Sequence, residues 1–328
     1  MFVFFLCLTL LKLFIKMIQP SYLKKGDKIA IVAPAKRMLK GELDEAIALI
    51  NSWGFEAVLG KNIYESFNLG YAYAGTDTQR ATDFQWALDD PEIKAIWCAR
   101  GGYGSVKIID LLNFEQFTIN PKWIIGYSDI TVFHNHINAL GYQTIHGVTA
   151  KKLANVTYHS DSYPSLYRAL VGETTNYHIE TSNSFNKTGE AEGELIGGNL
   201  SIVYSLLGSN SAIQPKDKIL FLEDWFENWY AVDRMLMNLK RNGIFDQISG
   251  LILGSFTHMD TEEENKENYN HSYDPKTYEV IYELVKEYQI PIVFEFPAGH
   301  TGHNLALKMG EKLHLKVDTN SVNLQFNY

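Results

Sequence analysis

Three segments of this 328-residue chain carry side chains able to do chemistry. In Trp123–Thr131 an apolar run leads through Gly126 and Tyr127 to Ser128 and Asp129, and then into a helical pattern. A serine at a sharp strand-to-helix turn is lifted above the sheet edge, as a nucleophile must be. The helix behind it presents N–H groups and positive dipole character to a developing oxyanion. The second glycine of a Gly-x-Ser-x-Gly elbow is missing here, so a helix cap made by Ser128 or Asp129 is the competing reading. The second segment is Arg100-Gly101-Gly102-Tyr103-Gly104, after the apolar Ala95–Ala99. Its glycines let backbone approach a ligand closely. Neither phosphate-loop pattern is present, which leaves backbone donors for an oxyanion or carboxylate, with Arg100 beside them, or simply a tight turn. The third region joins two places: Glu223 and Asp224 end the apolar run from Ile219, and Pro297–Asn304 sets His300 and His303 in a glycine-rich loop. A serine nucleophile needs a base, and histidine is matched to neutral pH. That histidine needs a carboxylate to fix its tautomer. Ser128, His300 and Glu223 can supply the three roles, although spacing alone does not bring them together.

The elements that must position these residues follow from hydrophobic patterning. Strands are expected at Lys28–Ala33, Phe55–Leu59, Ala95–Ala99 and Trp123–Tyr127, and helices at Leu43–Trp53, Thr76–Leu88, Val106–Leu112 and Ile130–Leu140. Such alternation implies an α/β fold with a parallel sheet covered on both faces, a three-layer flavodoxin- or Rossmann-like domain. From about residue 158, Ser, Thr, Asn and Tyr accumulate and periodicity fades, which reads as a linker with irregular or edge structure. Beyond it, helices at Leu200–Leu207 and Ala231–Asn242 mix with strands at Lys218–Leu222, Gly250–Leu253, Ile292–Phe294, Lys312–Val317 and Val322–Phe326. This half is expected to be a smaller, strand-rich α/β domain. The boundaries expected are 1–16 as an extension outside the fold, 17–160 and 191–328 as domains, and 161–190 as linker.

Composition narrows the classes of function. There are 29 basic and 38 acidic residues, a net charge of −9, which argues against a nucleic-acid binder working by general phosphate attraction. Cys7 and Cys98 cannot make a disulfide framework, and Cys98 reads as inert packing in a buried strand. Met1–Ile15 is apolar with Lys12 inside it. It is short for a membrane span and lacks the basic start and small-residue cleavage site of a secretory signal. Translation starting at Met17 is the reading favoured over a weak anchor or export signal, and a cytoplasmic location is expected. Thr257–Asp274 is acidic, but its spacing matches no ligand motif and reads as a solvated loop. Structural roles are expected for His134, His136 and His146. Trp225, Trp229 and Tyr230 either line a groove or pack.

Taken in order, Arg-Gly-Gly-Tyr-Gly (100–104), Gly-Tyr-Ser-Asp (126–129), Gly-Gly-Asn (197–199), Leu-Glu-Asp (222–224) and Gly-His-x-x-x-Asn (299–304) resemble the motifs of the LD-carboxypeptidases, the muramoyltetrapeptide carboxypeptidases of peptidoglycan recycling. Gly26–Pro34 resembles that family's first strand, and the likeness runs from about Tyr22 to Val317. The resemblance implies a serine peptidase with Ser128 as nucleophile, His300 as base and Glu223 as orienting acid. The serine would lie in the N-terminal domain and the other two in the C-terminal domain. It implies an oxyanion hole from the N–H groups of Gly102 and Asp129, and a substrate pocket shaped by Arg100, Asn199, Trp225 and Arg234. His303 is a decoy that relatives vary, since the Gly-His position selects His300. Asp224 is expected to support the loop. No metal or cofactor is implied. The expected substrate is murein tetrapeptide, cleaved before its terminal D-alanine, and the expected assembly is a homodimer without nucleic acid or membrane partners. The same motifs admit an immunity peptidase of the microcin C type, acting on peptidyl nucleotides. A reading from another class is a non-catalytic protein that binds peptidoglycan fragments.

Overall fold

The computed structural model describes residues 17–152, 157–259 and 274–326. In chain order the first half forms β1 (Lys28–Val32), α1 (Asp44–Ser52), β2 (Glu56–Leu59), the short pair β3 (Phe67–Asn68) and β4 (Ala72–Tyr73), α2 (Asp77–Asp89), β5 (Ile93–Cys98), α3 (Glu115–Ile119), β6 (Trp123–Gly126), α4 (Thr131–Ala139) and β7 (Thr144–His146). The second half forms α5 (Ser162–Val171), β8 (Tyr177–Glu180), β9 (Gly189–Asn199), α6 (Leu200–Leu206), β10 (Ile219–Trp225), α7 (Trp229–Arg241), β11 (Gly250–Thr257), α8 (Pro275–Val285), β12 (Ile292–Val293), β13 (Leu307–Met309), β14 (Lys312–Val317) and β15 (Ser321–Phe326).

Successive side chains of a strand point to opposite faces, and here both faces are apolar. Ile29 and Ile31 enter one buried cluster with Trp97 and Trp123, while Ala30 and Val32 enter another with Phe84 and Phe133. That double burial makes the layer order helix, sheet, helix. The strands stand in the order β13-β7-β6-β5-β1-β2, parallel except for β13. The second sheet has the order β12-β11-β10-β9-β14-β15-β8, parallel from β9 to β12 and antiparallel at β14, β15 and β8. Its Leu220 and Leu222 pack under α6, α7 and α8, and its Ile219 and Phe221 face Leu313 and Leu315. The α/β class, with a parallel sheet first and a strand-rich sheet second, is the one expected.

Two local differences bear on the site. Residues 106–112 form two 3-10 turns, Ser105–Lys107 and Ile109–Leu111, rather than one helix, because the start of the segment is tied down: Asp129 accepts the Ser105 N–H at 2.8 Å. Within 161–190 the chain forms α5 and the edge strand β8, although the composition there reads as linker. The buried stripe of α5 is Ser162, Ser165, Leu166, Ala169 and Leu170, helical in spacing but partly serine. Those serines face inward because they hold backbone. Ser162 donates to the Gly302 carbonyl at 2.9 Å and accepts the Asn304 N–H at 3.1 Å, and Ser165 accepts the Ala306 N–H at 3.0 Å. Thus α5 pins the stretch just after His300, and β13 then enters the first sheet beside β7. Reading 1–16 as an extension falls outside the described residues. Among the described residues, no helix is long and apolar enough to cross a membrane.

Candidate active site

β6 is buried throughout and ends at Gly126, whose φ of 155° and lack of a side chain let Ile130 close over it. Two residues later Ser128 has φ 64°, a left-handed conformation that costs a non-glycine residue about 1–3 kcal/mol. The backbone therefore turns sharply at Ser128, into a 3-10 turn that leads to α4. One turn along α4, buried His134 braces the elbow. Its Nε2 lies 2.9 Å from the Gly126 carbonyl and must donate, so Nδ1 accepts from the Thr144 hydroxyl, also at 2.9 Å. Burial pushes this imidazole down from 6.5 to about 4, and it is neutral. Its contribution to stability is fully present above pH 6.5 and is lost as pH falls toward 4, because the unfolded chain binds a proton that the native ring refuses. The expected loss is on the order of 2 kcal/mol by pH 5. Asp129 and Asp224, raised to about 6 and about 7 by burial, run the opposite way: they favour the fold below the ordinary carboxylate range and lose that effect as pH rises. Urea midpoints of wild type and His134→Gln at pH 7.5 and 5.0 isolate the histidine. The acid loss should be smaller in the variant, and equal losses would refute the assignment.

Asp129 is also a fastener. Buried behind the elbow, it takes the Ser105 N–H and so ties the Arg100–Gly104 loop to Ser128. The loop closes tightly. A Cβ on Gly101 would stand 2.8 Å from the Ser128 Cβ and 3.0 Å from its hydroxyl oxygen. Gly102 has φ 120°, and a Cβ there would run into the Tyr71 hydroxyl. Gly101→Ala should therefore displace the serine and lower kcat by about 100-fold, the scale of a small misplacement at a reacting atom. Steady-state kinetics checks this, with circular dichroism to confirm the fold.

The second half of the site begins on β10, which stays buried to Asp224. The register with β11 slips between Leu222 and Asp224, where two steps of β10 face three of β11, from Leu253 to Phe256. A bulge of this kind re-aims side chains at a strand end. Glu223, 0% exposed, sits at that slip, and its Oε2 lies 2.7 Å from His300 Nδ1 and accepts the His300 N–H at 3.2 Å. The approach needs Gly299, whose φ is 109° and whose Cβ would fall 2.6 Å from the same carboxylate oxygen. Thr257 donates to the His300 carbonyl at 2.9 Å, and Asn304 accepts the Gly299 N–H at 3.0 Å. The carboxylate accepts, so Nδ1 carries the proton and Nε2 keeps its lone pair. The ring, 6% exposed, meets the edge of Tyr127 at 4.8 Å and stacks with Trp225 at 5.6 Å and 11°. Tyr127 immediately precedes Ser128, so the histidine ring packs on the residue before the serine. The halves are joined by Thr131 at the start of α4, which accepts the Asn199 N–H at 3.0 Å across a side-chain-free Gly198.

A serine at a strained turn and a carboxylate-held histidine packed on the residue before it are kinds of group used in acyl transfer. Residues 29–147 match the LD-carboxypeptidase N-terminal domain, and residues 192–315 match the LD-carboxypeptidase C-terminal domain. The chain belongs to the LD-carboxypeptidase family. A probable murein peptide carboxypeptidase of Bacillus subtilis is 32% identical over 90% of this chain and 90% of its own. The murein tetrapeptide carboxypeptidase of Pseudomonas aeruginosa is 28% identical over 87% of this chain and 91% of its own. The microcin C7 self-immunity protein MccF of Escherichia coli is 27% identical over 92% and 94%. A structure of MccF with glutamyl sulfamoyl guanosine is similar with a TM-score of 0.78 at 25% identity, over 94% of this chain and 98% of that one.

In this LD-carboxypeptidase the other residues named from sequence divide into two groups. Arg100 and Trp225 are at the site, half-buried beside Gly101 and stacked on His300 respectively. Asn199 is drawn into the frame instead of the pocket. Its side-chain oxygen caps α6 through the Ile202 N–H, and its amide donates to Asp224 at 2.8 Å. Asp224 in turn takes the Ser201 and Trp225 N–H groups. Arg234 lies on the exposed face of α7 against the Tyr230 ring. His303 stacks on His159 at 3.9 Å, away from Glu223. His136 pairs with Ser211, and burial raises the Cys98 thiol far above its ordinary range. Most of the acidic stretch, 260–273, lies outside the described residues. Asp274 at its end caps α8 and accepts from Trp229 at 3.0 Å. Sequence reasoning placed Gly101 in the glycine loop, Tyr127 in the serine motif and His134 in a structural role, but not the contacts of Gly101 with Ser128, of Tyr127 with His300 or of His134 with the Gly126 carbonyl.

Proposed function

We propose that this enzyme cleaves the L,D peptide bond before the terminal D-alanine of murein tetrapeptide, in peptidoglycan recycling, through Ser128, His300 and Glu223. The observation that supports the reading is the buried contact of 2.7 Å between Glu223 and His300 Nδ1; on this reading Nε2 is the base for Ser128. His300 takes the Ser128 proton as the hydroxyl oxygen attacks the carbonyl. Glu223 steadies the imidazolium that forms. The tetrahedral oxyanion is held by N–H groups of the Gly102 loop and of Asp129 at the start of the 3-10 turn. His300 then gives its proton to the leaving amine of D-alanine, and water, activated by the same base, releases the acyl group from Ser128. The names of the Bacillus and Pseudomonas relatives support the choice of peptide.

Incubation of the protein with murein tetrapeptide, followed by mass spectrometry, tests this. The expected product is the tripeptide and free D-alanine, and an intact tetrapeptide would sink the assignment. A second reading, cleavage of a peptidyl nucleotide, draws on one feature. Trp225, Phe226 and Tyr230 are exposed aromatics just beyond Glu223, a surface on which a base can stack. The MccF relative has been captured with a nucleoside conjugate. The same assay with a peptidyl sulfamoyl nucleoside separates the two.

A further inference from the structure

One cationic cluster beside the site has no part in the steps above. β1 ends at Val32, and Pro34 and Ala35 carry the chain to Lys36. Lys36 lies against the oxyanion loop: a Cβ on Gly102 would fall 2.9 Å from the Lys36 Cβ, and the neighbouring Gly101 touches Ser128. The Lys36 ammonium is half-buried and 5.7 Å from the centre of the Tyr71 ring, which packs edge-on against Tyr73 and Tyr103. Burial, then the charges of Arg100, Lys151 and Arg37, weaken its hold on its proton. The carboxylate near this group is Glu42, already held by Lys151 and by the Leu39 N–H. Asp129 below is held by Ser105. Among the described residues no carboxylate lies within ion-pair distance of Lys36 or Arg100. Arg100 shares Glu42 with Lys151, whereas the charges acting on Lys36 are all cationic, so Lys36 and Arg100 repel each other beside the glycine loop until an anion arrives.

We propose that Lys36, together with Arg100, binds a carboxylate of the peptide substrate beside Gly102 and so makes the enzyme selective for acidic peptides. The inference rests on the peptidase reading of Ser128 and extends it to the substrate's charge. Arg100 offers a planar fork to a carboxylate, and Lys36 a point charge. The anion can come from the free C-terminus of the leaving residue or from an acidic residue on the acyl side.

The test uses L-Ala-γ-D-Glu-L-Lys-D-Ala and two analogues, one with a C-terminal carboxamide and one with D-isoglutamine in place of γ-D-Glu. Wild type should prefer the parent over one of the amides by about 10- to 100-fold in kcat/KM, the scale of a charge-assisted contact. The analogue that loses this preference identifies the source of the anion. Lys36→Met should lower kcat/KM on the parent and collapse that ratio toward one, and Lys36→Arg should restore part of it. An undiminished ratio in Lys36→Met, or equal losses on all three peptides, would overturn the proposal while leaving hydrolysis intact. Calorimetric binding of the same peptides to wild type and Lys36→Met covers the other failure. Selective binding without cleavage refutes the peptidase reading alone, and no binding of any peptide refutes both.

Discussion

Replacing Ser128 with alanine is expected to lower kcat by about 10⁴- to 10⁶-fold, with KM little changed and no acyl-enzyme trapped by rapid quench. The size follows from the role. Without the hydroxyl no covalent intermediate forms, and only the oxyanion donors and bound water remain to catalyse. A structural signature accompanies the kinetic one. Ser128 holds φ 64°, which glycine adopts freely and alanine does not. Ser128→Gly should therefore be as inactive as Ser128→Ala and yet more stable than it by about 1 kcal/mol, read as a higher urea midpoint. If Ser128→Ala retains near wild-type turnover, another group is the nucleophile. If wild type hydrolyses no peptide and Ser128→Ala binds fragments equally well, the protein is a binder rather than an enzyme.

Glu223→Gln is the second large effect, expected at about 10³- to 10⁴-fold in kcat. The glutamate accepts two N–H groups from one residue, the ring Nδ1–H and the backbone N–H of His300. A glutamine fits the same space but can present its own N–H₂ to Nδ1, which places the ring proton on Nε2 and removes the base that the proposed mechanism needs. Because shape is kept, substrate binding should survive. A variant that loses binding and turnover together, with an altered near-ultraviolet spectrum, would indicate that Glu223 holds the fold rather than the tautomer. Glu223 and the buried Asp224 are neighbours in sequence with different partners: one faces the histidine, the other the start of α6. An Asp224→Asn change should act on stability more than on kcat.

Much of the scaffold was legible in the sequence, since strand and helix are local consequences of side-chain pattern. Short β-branched runs such as Lys28–Val32 and Trp123–Gly126 bury both faces. The serine turn and the glycine loop announced themselves because their chemistry needs unusual residue types in adjacent positions. α5 escaped because two of its buried positions are serines, and their reason for being inward, the backbone of 302–306, lies some 140 residues away. Lys36 escaped because a lysine in a polar stretch carries no local sign that it will lie beside Gly102.

What the sequence by itself determined is therefore many of the strands and helices, and the chemical kinds of Ser128, Glu223 and His300. What only the tertiary structure decided is the pairing of Glu223 with His300 and the packing of that histidine on Tyr127. Glu223 and His300 are separated by 77 positions, and both arrive beside Tyr127 because β13 crosses into the first sheet, α5 pins the histidine loop and Gly198 lets α4 dock on β9. Each of these is a contact between distant segments, stabilised by burial and by hydrogen bonds to backbone. No local pattern encodes them. The tautomer of His300 follows from those contacts.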